Sequence, residues 1–273
     1  MSAQAASREV IDGVEVLIEG HGRDTILLLH GWPDTHQLWD PQVAALAPHY
    51  RCLRLTLPGF VPGTPKQAYS LAQVVATIAR VIDHVSPDAP VTLLLHDWGC
   101  FFGYQYALAH PARVARVIGV DIGDAGSKRH LAELSATQKL AIVSYQLWLA
   151  AAWRAHGAAG DRMSRWMAKT ARCPTAPESI HANMAWPYAV QWTGAAGGFK
   201  GVKLFTPACP MLFIYGERKP FMFHSRAWAE QIAAQPRSRV VALPTGHWVM
   251  VQRPDEFNAA VLEWLGATAS LRG

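Results

Sequence analysis

Apolar residues follow two alternating patterns along the first part of the chain. Val14 to Glu19 switches between apolar and polar, as a half-buried strand does. Thr25 to His30, Arg51 to Leu57, Val91 to Leu95 and Val114 to Ile122 are further strand-length runs. The runs at Thr25 and Val91 are almost wholly apolar, consistent with strands covered on both faces. Helical patterns lie between them. Asp34 or Thr35 can cap a helix running to Leu46, and Cys100 to Ala109 reads as a helix. Leu71 to Val85 puts Val74, Val75, Ile78, Val81, Ile82 and Val85 on one stripe. Buried strands alternating with amphipathic helices predict an α/β protein with a mostly parallel, doubly wound sheet.

The rhythm breaks after Asp124. From Ser127 to Phe205 no strand-like run occurs; helical patterns cover Leu140 to Ala155, Asp161 to Ala171 and Ser179 to Trp192. It resumes with Met211 to Tyr215, a helix around Ala227 to Ala234, Arg239 to Leu243, and a last helix from Asp255 to Leu265. We therefore expect a core domain of residues 1–125 and 206–273, with residues 126–205 forming a helical cap inserted after the sixth strand. The tryptophans and tyrosines of that insert are either its own core or the wall of a pocket.

Composition narrows the picture. Hydrophobic residues make up 51% of the chain and charged ones 16%, enough to bury a large core. The formal charge of +5 comes without a Lys/Arg block, so no nucleic-acid surface is expected. Cys52, Cys100, Cys173 and Cys209 are widely spaced, which argues against a zinc site or a disulfide framework and fits a reducing compartment. Met1 to Val10 has no apolar targeting segment, and no run approaches membrane-spanning length. The expectation is a cytoplasmic protein without membrane contact.

Candidate chemistry centres on Val91-Thr92-Leu93-Leu94-Leu95-His96-Asp97-Trp98-Gly99-Cys100. A strand turning sharply into a helix exposes one side chain at the bend and aims helical N–H groups at its target. That residue is Asp97, whose plainer reading is a helix N-cap. Two more segments follow strands: His30-Gly31-Trp32-Pro33 and Thr245-Gly246-His247-Trp248. In a doubly wound sheet, all three converge at the carboxyl ends of the strands.

This set of motifs resembles the α/β-hydrolase fold, in its Asp-nucleophile branch of epoxide hydrolases and haloalkane dehalogenases. The resemblance runs from Val14 to Leu265. It implies that Asp97 attacks an sp³ carbon to form an alkyl-enzyme ester, and that His247 activates the water that cleaves it. It implies an oxyanion hole from the N–H groups of Trp32 and Trp98, a cis Trp32–Pro33 bond, and neither cofactor nor metal.

The sequence departs from the family at the third catalytic position. Relatives carry an acid after the seventh strand in a Gly-Glu-x-Asp segment. Here the segment is Gly216-Glu217-Arg218-Lys219, and a cation cannot orient an imidazolium. Some dehalogenases carry the acid after the sixth strand instead. Gapless alignment from Asp97 through His110-Pro111-Ala112-Arg113-Val114 puts Asp121 there, ahead of Asp124 and Glu217 as candidates. The elbow departs too: Leu95 stands where relatives have a small residue, and Cys100 where many have Gly.

The leaving group separates the two chemistries. An epoxide oxygen needs a strong hydrogen bond as it opens, and Tyr145 and Tyr188 resemble the two activating lid tyrosines of epoxide hydrolases. Halide needs soft donors such as indole N–H. Trp98 occurs in both families, and Trp32 replaces a halide-binding Asn of one dehalogenase branch. The expectation is an epoxide hydrolase acting on a small apolar organic substrate, with Trp32, Trp98, Tyr145 and Tyr188 lining its pocket. A haloalkane dehalogenase and a non-catalytic ligand-binding relative are the alternatives, and monomer and homodimer both stay open.

Overall fold

The computed structural model describes residues 7–269. Eight strands form one sheet: β1 (Ser7–Ile11), β2 (Val14–Glu19), β3 (Thr25–Leu29), β4 (Arg51–Leu55), β5 (Val91–His96), β6 (Val114–Val120), β7 (Met211–Gly216) and β8 (Arg239–Leu243). Their order is β1-β2-β4-β3-β5-β6-β7-β8. The β1/β2 and β2/β4 pairs are antiparallel, and β4 to β8 pair in parallel. This is the doubly wound sheet the pattern predicts. β3 and β5 are buried throughout, in line with their unbroken apolar runs.

The helices are α1 (Asp40–Leu46), α2 (Leu71–Val85), α3 (Trp98–Ala109), α4 (Lys128–Glu133), α5 (Ala136–Ala155), α6 (Gly157–Thr170), α7 (Trp186–Thr193), α8 (Arg226–Ala233), α9 (Val249–Gln252) and α10 (Pro254–Ala269), of which α1 to α3 and α8 to α10 pack on the sheet. Between β6 and β7 the chain forms helices and 3₁₀ turns, the lid. α2 starts at a capping box, in which Ser70 and Gln73 satisfy each other's backbone N–H groups, and Ser135 and Gln138 do the same for α5. The α2 stripe is Val74, Thr77, Ile78, Val81, Ile82 and Val85; Val75 lies half-buried at its border.

Several boundaries differ from the sequence reading. β1 was not anticipated, because only its last residue, Ile11, is buried and its pattern carries no alternation. Thr35 caps a 3₁₀ turn over His36–Trp39 rather than a continuous helix, and α1 begins at Asp40. The helix expected over Ser179 to Trp192 splits into a 3₁₀ turn at Ala182–Ala185 and α7, with Pro187 in the first turn of α7. The short α4 and α9 were not anticipated.

Leu95 is accommodated by α3. A Cβ on Gly103 would lie 2.5 Å from Leu95 Cδ2, so the missing side chain at Gly103 makes room for the bulk at Leu95. Cys100 is a packing residue. Its thiol donates to the Leu95 and Val120 carbonyls, and burial pushes its pKa up to about 12.

Candidate active site

Asp97 sits between β5 and α3 with φ 51° and ψ −121°, outside the regions a side chain favours. Close approach of neighbouring backbone fixes this bend. A Cβ on Gly31 would meet Asp97 Oδ2 at 2.3 Å, and one on Gly99 would meet the Leu29 carbonyl at 2.2 Å. Asp97 stands at the N-cap position of α3, but its side chain makes no capping hydrogen bond there. Instead, the Trp32 N–H donates to Asp97 Oδ2 at 2.7 Å. Burial pushes the Asp97 carboxyl above its usual range, against the pull of His247 and the N–H groups of Trp32 and Trp98.

His247 follows β8 and stands across from Asp97, with Nε2 3.8 Å from Asp97 Oδ1. Its Nδ1 lies 2.5 Å from Asp121 Oδ2. Asp121 ends β6 at φ 68° and is completely buried. Its other oxygen accepts from the Gly216 N–H at 3.0 Å and from the Lys219 ammonium. Burial alone would raise the Asp121 carboxyl; the Lys219 charge and the bonds to His247 and Lys219 outweigh it and carry the pKa down to about 2.

The three candidate acids therefore stand in different surroundings. Asp121 faces His247. Asp124 bonds Ser127, the N-cap of α4, and Ser225, the N-cap of α8, through both side-chain oxygens, and so ties those two helix starts together. Glu217 is exposed. Lys219, which occupies the usual acid's place, pairs with the acid supplied by the neighbouring strand.

A cavity of ≈ 800 Å³ opens between the sheet and the lid, lined by Asp97, His247, Trp32, Tyr145 and Tyr188 among others. The Tyr188 ring meets Trp32, Trp98 and Tyr145 edge to face at 6.0, 5.2 and 6.1 Å between centroids. Burial, with the nearby Asp97 charge, holds both tyrosine hydroxyls above their usual range, so both keep their protons. The indole Nε1 atoms of Trp32 and Trp98 are buried without hydrogen-bond partners. The Trp32–Pro33 bond is cis. Among the described residues no cluster of His, Cys, Asp or Glu could hold a metal ion.

Sequence reasoning missed three supporting side chains. His30 Nδ1 donates to the Gly31 carbonyl and its Nε2 accepts from the Leu57 N–H, which fastens the loop bearing Trp32. Burial lowers the His30 pKa to about 3, so the ring is neutral. His96 donates to the His247 carbonyl at 3.2 Å, with ring centroids 4.4 Å apart. Asp34 is buried beneath the lid, where it accepts from Thr175 and from Trp248 Nε1. Both histidines directly precede a motif residue, which is the available signal; Asp34 reads in sequence only as a possible helix cap, a role that Thr35 fills.

Residues 26–260 match the alpha/beta hydrolase family. The chain belongs to this family. Among curated relatives, the probable oxidoreductase EphD of Mycobacterium tuberculosis is 35% identical over 127 residues, 44% of this chain and 21% of EphD. The epoxide hydrolase srdG of Neurospora crassa is 37% identical over 99 residues, 33% of this chain and 28% of srdG. The matched region thus spans a fifth to under a third of those relatives' length. The epoxide hydrolase of Bacillus megaterium, solved with an inhibitor, superposes with a TM-score of 0.70 at 20% identity, covering 95% of this chain and all of that chain.

Proposed function

We propose that the protein is an epoxide hydrolase that opens an apolar epoxide to a diol through an ester on Asp97. The observation that carries this reading is the shared cavity, where a carboxylate at a strained elbow faces two protonated tyrosines and a histidine backed by a buried acid. Residues 1–125 and 206–273 act as the catalytic core and residues 126–205 as the cap. Similarity to an enzyme named an epoxide hydrolase supports the same choice.

The first step forms a bond between an Asp97 oxygen and an epoxide carbon and breaks that carbon's bond to the epoxide oxygen. The Tyr145 and Tyr188 hydroxyls hydrogen-bond the oxygen as its negative charge develops, and one of them gives it a proton and is left as tyrosinate. Asp97 Oδ1 is the attacking atom, because Oδ2 is held by the Trp32 N–H. In the second step a water adds to the ester carbonyl carbon. His247 Nε2 takes the water's proton, and Asp121 stabilises the imidazolium that results. The Trp32 and Trp98 N–H groups hold the tetrahedral oxyanion, which collapses as the imidazolium returns its proton to the departing alkoxide; the proton left on the Asp97 carboxyl passes to the tyrosinate, so the diol is released and the carboxylate restored.

A haloalkane dehalogenase is the second reading, favoured by the unpartnered indole N–H of Trp32, which lines the cavity. Weakly solvated donors of this kind suit a departing halide. Assaying diol formation from epoxides beside halide release from bromoalkanes separates the two. We expect diol without halide; the reverse would replace the first reading with the second, and neither product would leave a non-catalytic ligand-binding role.

A further inference from the structure

We propose that the outer face of the lid docks on an anionic phospholipid surface. This face combines exposed apolar side chains, basic residues beside them and the mouth of the substrate cavity, within a segment of strong basic excess.

The charge is unevenly placed. Residues 126–205 hold ten of the chain's 25 Lys and Arg but only three of its 20 Asp and Glu. That segment therefore carries +7 and the remainder of the chain −2, an asymmetry hidden within the +5 total. Two of the three acids are engaged by backbone: Glu133 accepts the Arg226 N–H, and Asp161 the Ala182 N–H.

The apolar patch lies on α5 and α6. α5 is 20 residues long, and its charged residues are Lys139 and Arg154, one near each end. Its outer face nevertheless meets solvent, with Leu140 67%, Leu147 45% and Trp148 38% exposed. On α6, Trp166 is 53% exposed, and its ring lies 4.9 Å from that of Trp148, so the two helices share one patch. Arg162 and Lys169 are exposed on α6 within one turn of Trp166. Tryptophan and leucine ringed by basic residues favour the boundary between lipid headgroups and acyl chains. The two tryptophan rings cross at 48° against each other, a poor platform for stacked nucleic-acid bases. Two copies meeting through this face would bring like charges together.

The patch also continues to the cavity. Ala141, next to Leu140, and Thr170, one turn beyond Trp166, are exposed and line the cavity that holds Asp97. An apolar molecule leaving the bilayer would reach the mouth along this face. Such delivery rests on the epoxide hydrolase reading; docking itself does not. No described helix is long and apolar enough to cross a membrane, so the contact is a lying one, which requires no spanning segment. The expectation of no membrane contact rests on the lack of an apolar segment in Met1 to Val10 and of a spanning run, and neither bears on a lying contact.

The test is co-sedimentation of the full chain with phosphatidylcholine vesicles, with and without phosphatidylglycerol, at low and high salt. We expect salt-sensitive binding to the phosphatidylglycerol vesicles and a blue shift of tryptophan emission. The Arg162→Gln/Lys169→Gln variant should weaken binding about thirtyfold, and Trp166→Ser/Leu147→Ser on the order of tenfold. Turnover of a dissolved epoxide and the thermal unfolding midpoint should stay unchanged in both variants. Absence of binding, equal binding to neutral vesicles, or binding insensitive to both variants would overturn the proposal. So would a dimer that Trp166→Ser dissociates, or equally tight binding of a single-stranded oligonucleotide.

Discussion

The sheet wall and the lid wall of the cavity hold their functional groups by different means. On the sheet side, Asp121 is fully buried at the end of β6 and bound by Gly216, Lys219 and His247, while Asp97 is pinned by the crowding around Gly31 and Gly99. On the lid side, Tyr145 is half-buried, and its hydroxyl has one long hydrogen bond, from Gln146 at 3.3 Å. Asp34 and Thr175 bolt the two walls together. Groups that must keep a fixed geometry through bond making sit on buried strand ends. Of the lid tyrosines, Tyr145 sits on α5, a helix with one face in solvent, whereas Tyr188 is buried on α7. Damage to the His247–Asp121 pair of the sheet wall should therefore affect the ester's hydrolysis, and damage to the lid tyrosines its formation.

Asp121→Asn gives the largest effect of this kind. Hydrolysis of the ester should slow by roughly 10³–10⁴-fold, because the amide favours the wrong tautomer of His247 and leaves Lys219 without its partner. Single-turnover kinetics should show the ester forming near the normal rate. On the opposite wall, Tyr145→Phe or Tyr188→Phe should slow ring opening by roughly 10²-fold each. Release of diol from ester already formed should be unaffected. If both kinds of variant slowed the same step, the division of labour between the walls would be wrong.

The bolt between the walls is titratable. Burial raises the Asp34 carboxyl to about 6, opposed by its bonds to Thr175 and Trp248. A raised folded-state pKa means that the folded protein holds this proton more tightly than the unfolded chain. The contribution to stability is fully present below about pH 4, where both states are protonated, and is lost as pH rises through about 6. The loss is on the order of 3 kcal/mol. Denaturant unfolding from pH 4 to 7 should show this decline in the native protein and a flatter profile in Asp34→Asn. The smallest effect is within the core: Gly103→Ala should destabilise by about 1–3 kcal/mol through its clash with Leu95. Leu95→Ala in the same chain should recover part of that loss.

The same contrast governs what the sequence discloses. Continuous apolar runs marked β3 and β5, and the motifs at their ends located Asp97 and Trp32, because burial on both faces leaves little freedom in residue choice. Asp121 was reached by counting along the chain from Asp97. The use of Lys219 was not legible, since it depends on β6 and β7 lying side by side, with Val117–Val120 paired to Met211–Ile214. The burial of Asp34 depends on Thr175 and Trp248, 141 and 214 residues away in the chain. In the lid, the pattern gave helices but not which apolar residues would face inward. α5 has apolar residues on both faces, so Tyr145 turned to the cavity and Leu147 turned to solvent look alike in sequence.

The central claim is that Asp97 attacks and His247 only hydrolyses. Intact-protein mass spectrometry of His247→Gln mixed with styrene oxide tests it most directly. The expected result is a gain of one substrate mass, mapped by peptide analysis to Asp97 and absent in Asp97→Asn/His247→Gln. Turnover without an adduct, or an adduct that persists when Asp97 is replaced, would contradict it.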